Sequence, residues 1–258
     1  MTESAPPLVV VTNDDGIHSP ALHALARALA PLAEVYIVAP ETEQSSVSHA
    51  ITLARPLRLR TLSPRVMTLD GTPADCSYVA LHHPGLLPRA PTLVVSGINL
   101  GPNLGTDVFY SGTVAGAREA TFRGVPGVAF SMPTRADVEQ CSTHAATLVA
   151  RMLGWRAANP AAAPPVLNVN FPEGVPRGVK RCTLGVREYE NVVEVRNDPR
   201  GRQYLWIGGP KVTHPLQVGS DTEAFEAGYI TVTALSLDMN GVDPRPADAL
   251  LGPLSPAP

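Results

Sequence analysis

The chain has 258 residues, 44% of them hydrophobic, enough to bury one large core or a core with an appendage. Lys and Arg number 20 against 23 Asp and Glu, a net charge of −3, so no basic excess is present to grip the backbone of long DNA or RNA. No apolar run reaches the roughly 20 residues of a membrane-spanning helix, and Met1–Pro7, with Glu3 and two prolines, lacks the basic start and apolar stretch of a secretory signal.

Leu8-Val9-Val10-Val11 is a continuous apolar run, the pattern of a strand buried on both faces. Ser19-Pro20 reads as helix N-cap and first helical residue, with Leu22, Leu25 and Leu29 following at helical spacing. A second strand, Val35 to Ala39, stops at Pro40, and this strand–helix–strand order predicts a parallel sheet. Thr72-Pro73 opens a helix running to Leu81, with Asp75 placed to cap its first turn. Thr92 to Val95 is a further strand, Thr113 to Phe122 a helix, Gly127 to Ser131 a strand, Cys141 to Ala158 a long helix and Val166 to Val169 a strand. The expected fold is therefore α/β, a Rossmann-like, mostly parallel sheet flanked by helices over residues 8–172.

After Phe171-Pro172 the character changes. Strand-like pieces at Val192 to Val195, Tyr204 to Ile207 and Tyr229 to Leu237 predict a β-rich extension over 173–243, with Asn197 to Gly201 as the turn of a hairpin. That extension is too small for a core of its own, so it is expected to pack on the sheet or on another subunit. Residues 1–7 and 244–258 read as mobile tails. Cys76, Cys141 and Cys182 are odd in number, far apart and without CxxC spacing, which fits reduced thiols in a cytoplasmic protein.

In a parallel sheet, ligands bind outside the carboxyl ends of the strands. Directly after the first strand comes Thr12-Asn13-Asp14-Asp15-Gly16. Adjacent carboxylates at a buried strand end repel one another unless a cation neutralises them, and oxygen ligands suit Mg²⁺ or Mn²⁺. An Asp-Gly turn capping backbone amides fits the same residues, so this segment alone leaves two readings open. The second segment, Ser96 to Gly105 continuing to Ser111-Gly112-Thr113, leaves a strand through a Gly/Asn-rich loop and enters a helix. Exposed amides and a helix N-terminus make a phosphate cradle, with Asn99 and Asn103 offering amide donors and neutral oxygens. Together the segments favour a metallophosphatase that activates a water nucleophile. A third segment, Glu41 to His49, lies at the same sheet edge and by composition reads as a polar surface loop.

The ordered motifs Val11-Thr-Asn-Asp-Asp-Gly-Ile-His-Ser-Pro20, Ala39-Pro40 with Gln44-Ser45, Gly71 to Cys76, Ser96 to Gly105, and Tyr110 to Thr113 resemble the SurE survival proteins. The likeness runs from about Leu8 to about Asp238 and includes Asp198 to Gly201 and Gly219 to Thr222. The resemblance implies a 5′/3′-nucleotidase, active on nucleoside monophosphates and in some members on polyphosphate, with one divalent metal per subunit. It implies Asp14, Asp15, Ser45 and Asn99 as metal ligands and Asn103, Ser111, Gly112 and Thr113 as phosphate receivers. Asn13 is placed close by, in a second layer or on the phosphate. A homodimer or homotetramer formed by exchange of the extension is also implied. Two other readings stand beside this one: a non-catalytic nucleotide-binding module, and a phosphatase forming an aspartyl-phosphate. The latter class places Asp-x-Asp after the first strand, whereas here the two aspartates are adjacent.

Overall fold

The computed structural model describes residues 5–208, 212–215 and 217–239. In chain order the elements are β1 (Leu8–Thr12), α1 (Pro20–Leu29), β2 (Glu34–Pro40), β3 (Leu59–Ser63), β4 (Val66–Leu69), α2 (Pro73–His82) and β5 (Leu93–Leu100). A 3₁₀ turn (Gly105–Phe109) precedes α3 (Gly112–Phe122), β6 (Gly127–Met132), α4 (Val138–Ala158) and β7 (Val166–Asn170). Then follow β8 (Val179–Cys182), β9 (Glu188–Tyr189), β10 (Val193–Asn197), β11 (Gln203–Ile207), β12 (Val212–Thr213), α5 (Asp221–Glu226) and β13 (Ile230–Leu235).

Nine strands form one sheet in the order β3-β4-β2-β1-β5-β6-β7-β13-β8. From β4 to β7 all neighbours are parallel. Alternate residues of β1 serve two cores, as its unbroken apolar run requires. Val9 and Val11 pack with α1 and α4, while Leu8 and Val10 pack with Cys76 and Ala80 of α2 and Ala120 of α3. The chain leaves β1 toward β2 on one side and later returns to β5 on the other. The crevice beyond the carboxyl ends of β1 and β5 is thus the topological switch point, where such sheets bind ligands.

The sequence expectations hold with some differences. Ser19 stands at the α1 N-cap, but its hydroxyl makes no capping bond and is buried without a partner. Thr72 and Asp75 form a reciprocal capping box on α2. The long helix starts three residues earlier than expected, because Asp137 accepts from the amides of Glu139 and Gln140. β5 is longer than Thr92 to Val95. Its register shifts between Ser96 and Asn99, and the strand then resumes pairing with β6 at Ser131 and Met132, so Asn99 lies on a strand and not in a loop. Gly97 allows this: its φ is +130°, and a Cβ there would stand 2.3 Å from the Phe130 carbonyl oxygen.

Two pieces of the predicted extension continue the main sheet. β13 pairs antiparallel with β7, and β8 pairs with β13. What stands apart is the β10–β11 hairpin, turned at Asp198 to Gly201 as expected, and the short β9–β12 pair. Of the tails expected to be mobile, 1–4 and 244–258 lie outside the described residues, as do 240–243 of the predicted extension. The three cysteines are free and buried.

Candidate active site

A cleft of about 1490 Å³ opens at the switch point. Asp14, Asp15, Ser45, Asn99, Asn103 and Ser111 line it, so six of the nine residues singled out in the sequence meet on one surface. The other three, Asn13, Gly112 and Thr113, are buried and sit behind it.

β1 ends at Thr12 and delivers Asn13 to Asp15 to the cleft floor. Asn13 is fully buried: its amide donates to the Gly16 carbonyl at 3.0 Å, and its Oδ1 has no hydrogen-bond partner. Asp14 is held by the start of α3, with the Thr113 backbone N–H donating to Oδ2 at 2.9 Å and the Thr113 hydroxyl to Oδ1. Burial pushes the Asp14 carboxyl above the usual carboxylate range, against the lowering effect of those two bonds. Asp15 is pushed up to about 6, by burial first and then by the charges of Asp14 and Glu43, while a backbone bond from Leu100 opposes the rise. Its Oδ2 is buried with no partner.

The family resemblance implied Gly112 and Thr113 as phosphate receivers. Here Thr113 spends its amide and hydroxyl on Asp14, and Gly112 provides close approach: a Cβ there would lie 2.9 Å from the Asp14 Cβ and 3.2 Å from the Gln44 carbonyl oxygen. Ser111 caps α3 by accepting from the Val114 amide at 3.1 Å and faces the cleft.

Ser45 sits on the 41–49 loop, its hydroxyl donating to Glu43 at 2.6 Å. That loop is tied down at several points. The Gln44 amide donates to the Asp14 carbonyl at 2.7 Å, and Ser48 donates through its amide to the Tyr110 carbonyl and through its hydroxyl to the Phe109 carbonyl. Ser46 and Ser48 both take positive φ. His49 accepts from Arg118 Nε at Nδ1, so Nε2 carries the hydrogen and donates to Glu119 at 2.7 Å. Asn99 donates to the Gly101 carbonyl at 2.7 Å. Asn103 is clamped by the end of β7: its amide donates to Asn170, its carbonyl accepts from Asn168 and Asn170, and its side chain donates to Ser131.

The donor set suits a hard cation. Two carboxylates with raised proton affinity, Glu43 beside them, and buried unpaired oxygens on Asp15 and Asn13 leave an unbalanced negative centre. Among the described residues no cluster of three or more His, Cys, Asp or Glu could hold a metal. A cation here therefore needs neutral oxygens such as those of Ser45 and Asn99 to complete its shell.

The opposite wall of the cleft was not read from the sequence. Asp107 is buried; Arg187 Nη1 donates to it at 2.5 Å and the Tyr189 hydroxyl at 2.7 Å. Burial, and then Asp107, pushes the Tyr189 phenol up to about 12. Asp221 fastens this wall to the core by accepting from the amides of Gly105 at 2.9 Å and Gly185 at 2.8 Å. Glu43 was passed over inside a polar loop. Asn168 and Asn170 carried a readable signal, two polar residues at period two on an otherwise apolar strand end.

The model of the family described as Survival protein SurE matches residues 9–191. A 5′-nucleotidase SurE of Sorangium cellulosum is 48% identical over 237 residues, covering 90% of this chain and 91% of that protein. A 5′-nucleotidase SurE of Anaeromyxobacter dehalogenans is 46% identical over 234 residues, covering 89% and 90%. The crystal structure of the SurE protein from Aquifex aeolicus superposes with a TM-score of 0.78 at 34% identity, covering 93% of this chain and 98% of that one. The family model spans more than half of the chain, and the relatives match about nine-tenths of it: this chain belongs to the SurE family.

Proposed function

We propose that the chain is a 5′-nucleotidase, hydrolysing nucleoside 5′-monophosphates to nucleoside and phosphate with the help of one divalent cation. The observation that carries the reading is the pair Asp14 and Asp15 on a cleft floor beside the N-terminal end of α3. Bare carboxylates would repel a phosphate; carboxylates neutralised by a cation would not. Mg²⁺ or Mn²⁺, held by Asp14, Asp15, Ser45 and Asn99, supplies positive charge and Lewis acidity at the phosphoryl group. Thr113 fixes the Asp14 carboxylate in one orientation, and the α3 N-terminus adds partial positive charge beside Ser111. Asn103, held by Asn168, Asn170 and Ser131, lines the cleft in a single fixed orientation and can donate to a phosphate oxygen. An aspartyl-phosphate route fits less well, because both Asp14 oxygens accept bonds from Thr113, which suits a fixed ligand better than an attacking group.

The β10–β11 hairpin supports a homo-oligomer. Val193 pairs with Ile207 and Val195 with Leu205, giving one apolar face on which every member is more than half exposed. A lone two-stranded hairpin is marginal in water, so this face needs a cover, and a second copy of the chain supplies one. Among the described residues no helix is long and apolar enough to cross a membrane.

The decisive experiment is phosphate release from AMP with Mg²⁺, with Mn²⁺ and with chelator, for wild type and Asp15→Asn. The expected outcome is turnover only with a divalent ion and a loss of kcat/KM in the variant of about a thousandfold, equivalent to about 4 kcal/mol. Wild-type rates in Asp15→Asn at equal metal would refute the site.

A further inference from the structure

α3 holds more of the site than its first turn alone. The helix is seated directly on the strands that end at the cleft: a Cβ at Gly116 would stand 3.0 Å from Thr12 Cγ2 and 3.1 Å from Ser96 Oγ. Further along it lies Glu119, a carboxylate only 2% exposed. One of its oxygens accepts from Arg123 Nε at 2.7 Å and the other from His49 Nε2 at 2.7 Å. Burial alone would raise the Glu119 carboxyl, but the bonds from His49 and Arg123 outweigh it and hold the group below the usual carboxylate range. The His49 bond is therefore made to a charged acceptor, the stronger kind. Arg118 Nε donates to the other ring nitrogen at 2.8 Å, and the centre of the Phe122 ring is 5.6 Å from that of the imidazole. α3 thus grips His49 through Arg118, Glu119 and Phe122.

His49 ends the loop that carries Ser45, and that loop has a backbone that needs holding. Ser46 and Ser48 have φ of +57° and +55°, and among the described residues they are the only non-glycine positions at positive φ. Serine keeps that backbone only where its surroundings enforce it. Backbone bonds pin the loop at Gln44, to Asp14, and at Ser48, to Tyr110, and His49 adds a side-chain anchor on α3. At the start of the same helix, Thr113 holds Asp14. We infer that Glu119 and His49 are positioning residues for the proposed cation: they fix the loop of Ser45 against the helix whose first turn fixes Asp14. One rigid element then sets the spacing of ligands drawn from two separate segments. This rests on the metal-dependent nucleotidase reading and adds what holds the Ser45 side of that site in place. Residues that orient a ligand without touching the metal govern its affinity through that orientation.

The test uses wild type, His49→Phe, which keeps a ring beside Phe122 but neither hydrogen bond, and His49→Gln, whose amide can still donate to Glu119. In metal-free protein, hydrogen exchange at the Gln44 and Ser48 amides should quicken in His49→Phe and stay near wild type in His49→Gln. Direct titration with Mn²⁺, followed by electron paramagnetic resonance without substrate, should give a Kd about tenfold higher in His49→Phe, largely recovered in His49→Gln. A purely structural role would lower the thermal midpoint and leave both readouts unmoved. Wild-type exchange at those amides, or a Mn²⁺ affinity within about twofold of wild type, in folded His49→Phe would overturn the inference. If His49→Phe does not fold, Glu119→Gln, which removes the charge and one of the two acceptors, is read in the same way. If wild type binds no Mn²⁺, the metal reading fails, and the exchange comparison still decides whether His49 holds the loop.

Discussion

An aspartate whose carboxyl titrates near 6 holds its proton more tightly in the folded chain than in the unfolded one. Asp15 is such a group, raised by burial and by its acidic neighbours. Its linkage has a definite sign: in metal-free protein the contribution to stability is fully present below about pH 4 and is lost as the pH rises through about 6. Calorimetry in chelator should therefore show the thermal midpoint falling across that window, and Asp15→Asn should show a flatter profile. Identical slopes in the two proteins would remove Asp15 as the cause. The acidic pair was legible in the sequence because adjacency of two carboxylates at a strand end is a local fact. Asp107 was not, since its partners Arg187 and Tyr189 lie 80 and 82 positions further along the chain. Thr113 was singled out through the family resemblance as a phosphate contact, and its two donors hold Asp14, a bond between positions 99 apart that no local pattern announces.

At the level of elements, the helices and central strands followed from periodicity and capping signals, and their order alone predicted the parallel sheet. Short elements escaped. α5 spans 6 residues, too few for a helical repeat to register, β3 at the sheet edge is exposed and lacks an apolar run, and β4 is only 4 residues long. α5 nevertheless does a precise job, because its first residue, Asp221, joins two loops by accepting from Gly105 and Gly185. The loops approach closely enough that a Cβ at Gly105 would lie 2.7 Å from the Gly185 carbonyl oxygen. Asp221→Ala leaves two buried amides without acceptors and should lower stability by about 3 kcal/mol, measured by urea unfolding. A change within about 0.5 kcal/mol, typical of an inconsequential surface site, would show that water replaces the carboxylate.

For the molecule as a whole, the sequence separated a sheet region from a β-rich extension at Phe171-Pro172, yet β8 and β13 extend the sheet across that boundary. Strand pairing between distant segments leaves no local trace, since nothing in Ile230–Leu235 itself names β7 and β8 as its partners. The hairpin was predicted with its turn, and its exposed apolar face is where the proposed subunit contact would form. Leu205→Glu combined with Ile207→Glu places two charges on that face and should shift the protein from oligomer to monomer in sedimentation velocity. An unchanged sedimentation coefficient, or a monomeric wild type, would rule out the hairpin as the subunit contact.

The sheet order also bears on how the protein is made. Strands β1 to β7 emerge from the ribosome with neighbours already synthesised or soon to follow, so Asp14, Asp15 and Asn99 gain their framework early. β8 ends the row beside β13 and has to wait for Ile230–Leu235 before it can dock. Translation thus lays the acidic floor first and closes the far edge of the sheet last, and a nascent chain passes through a stage with that floor built while β8 is still undocked.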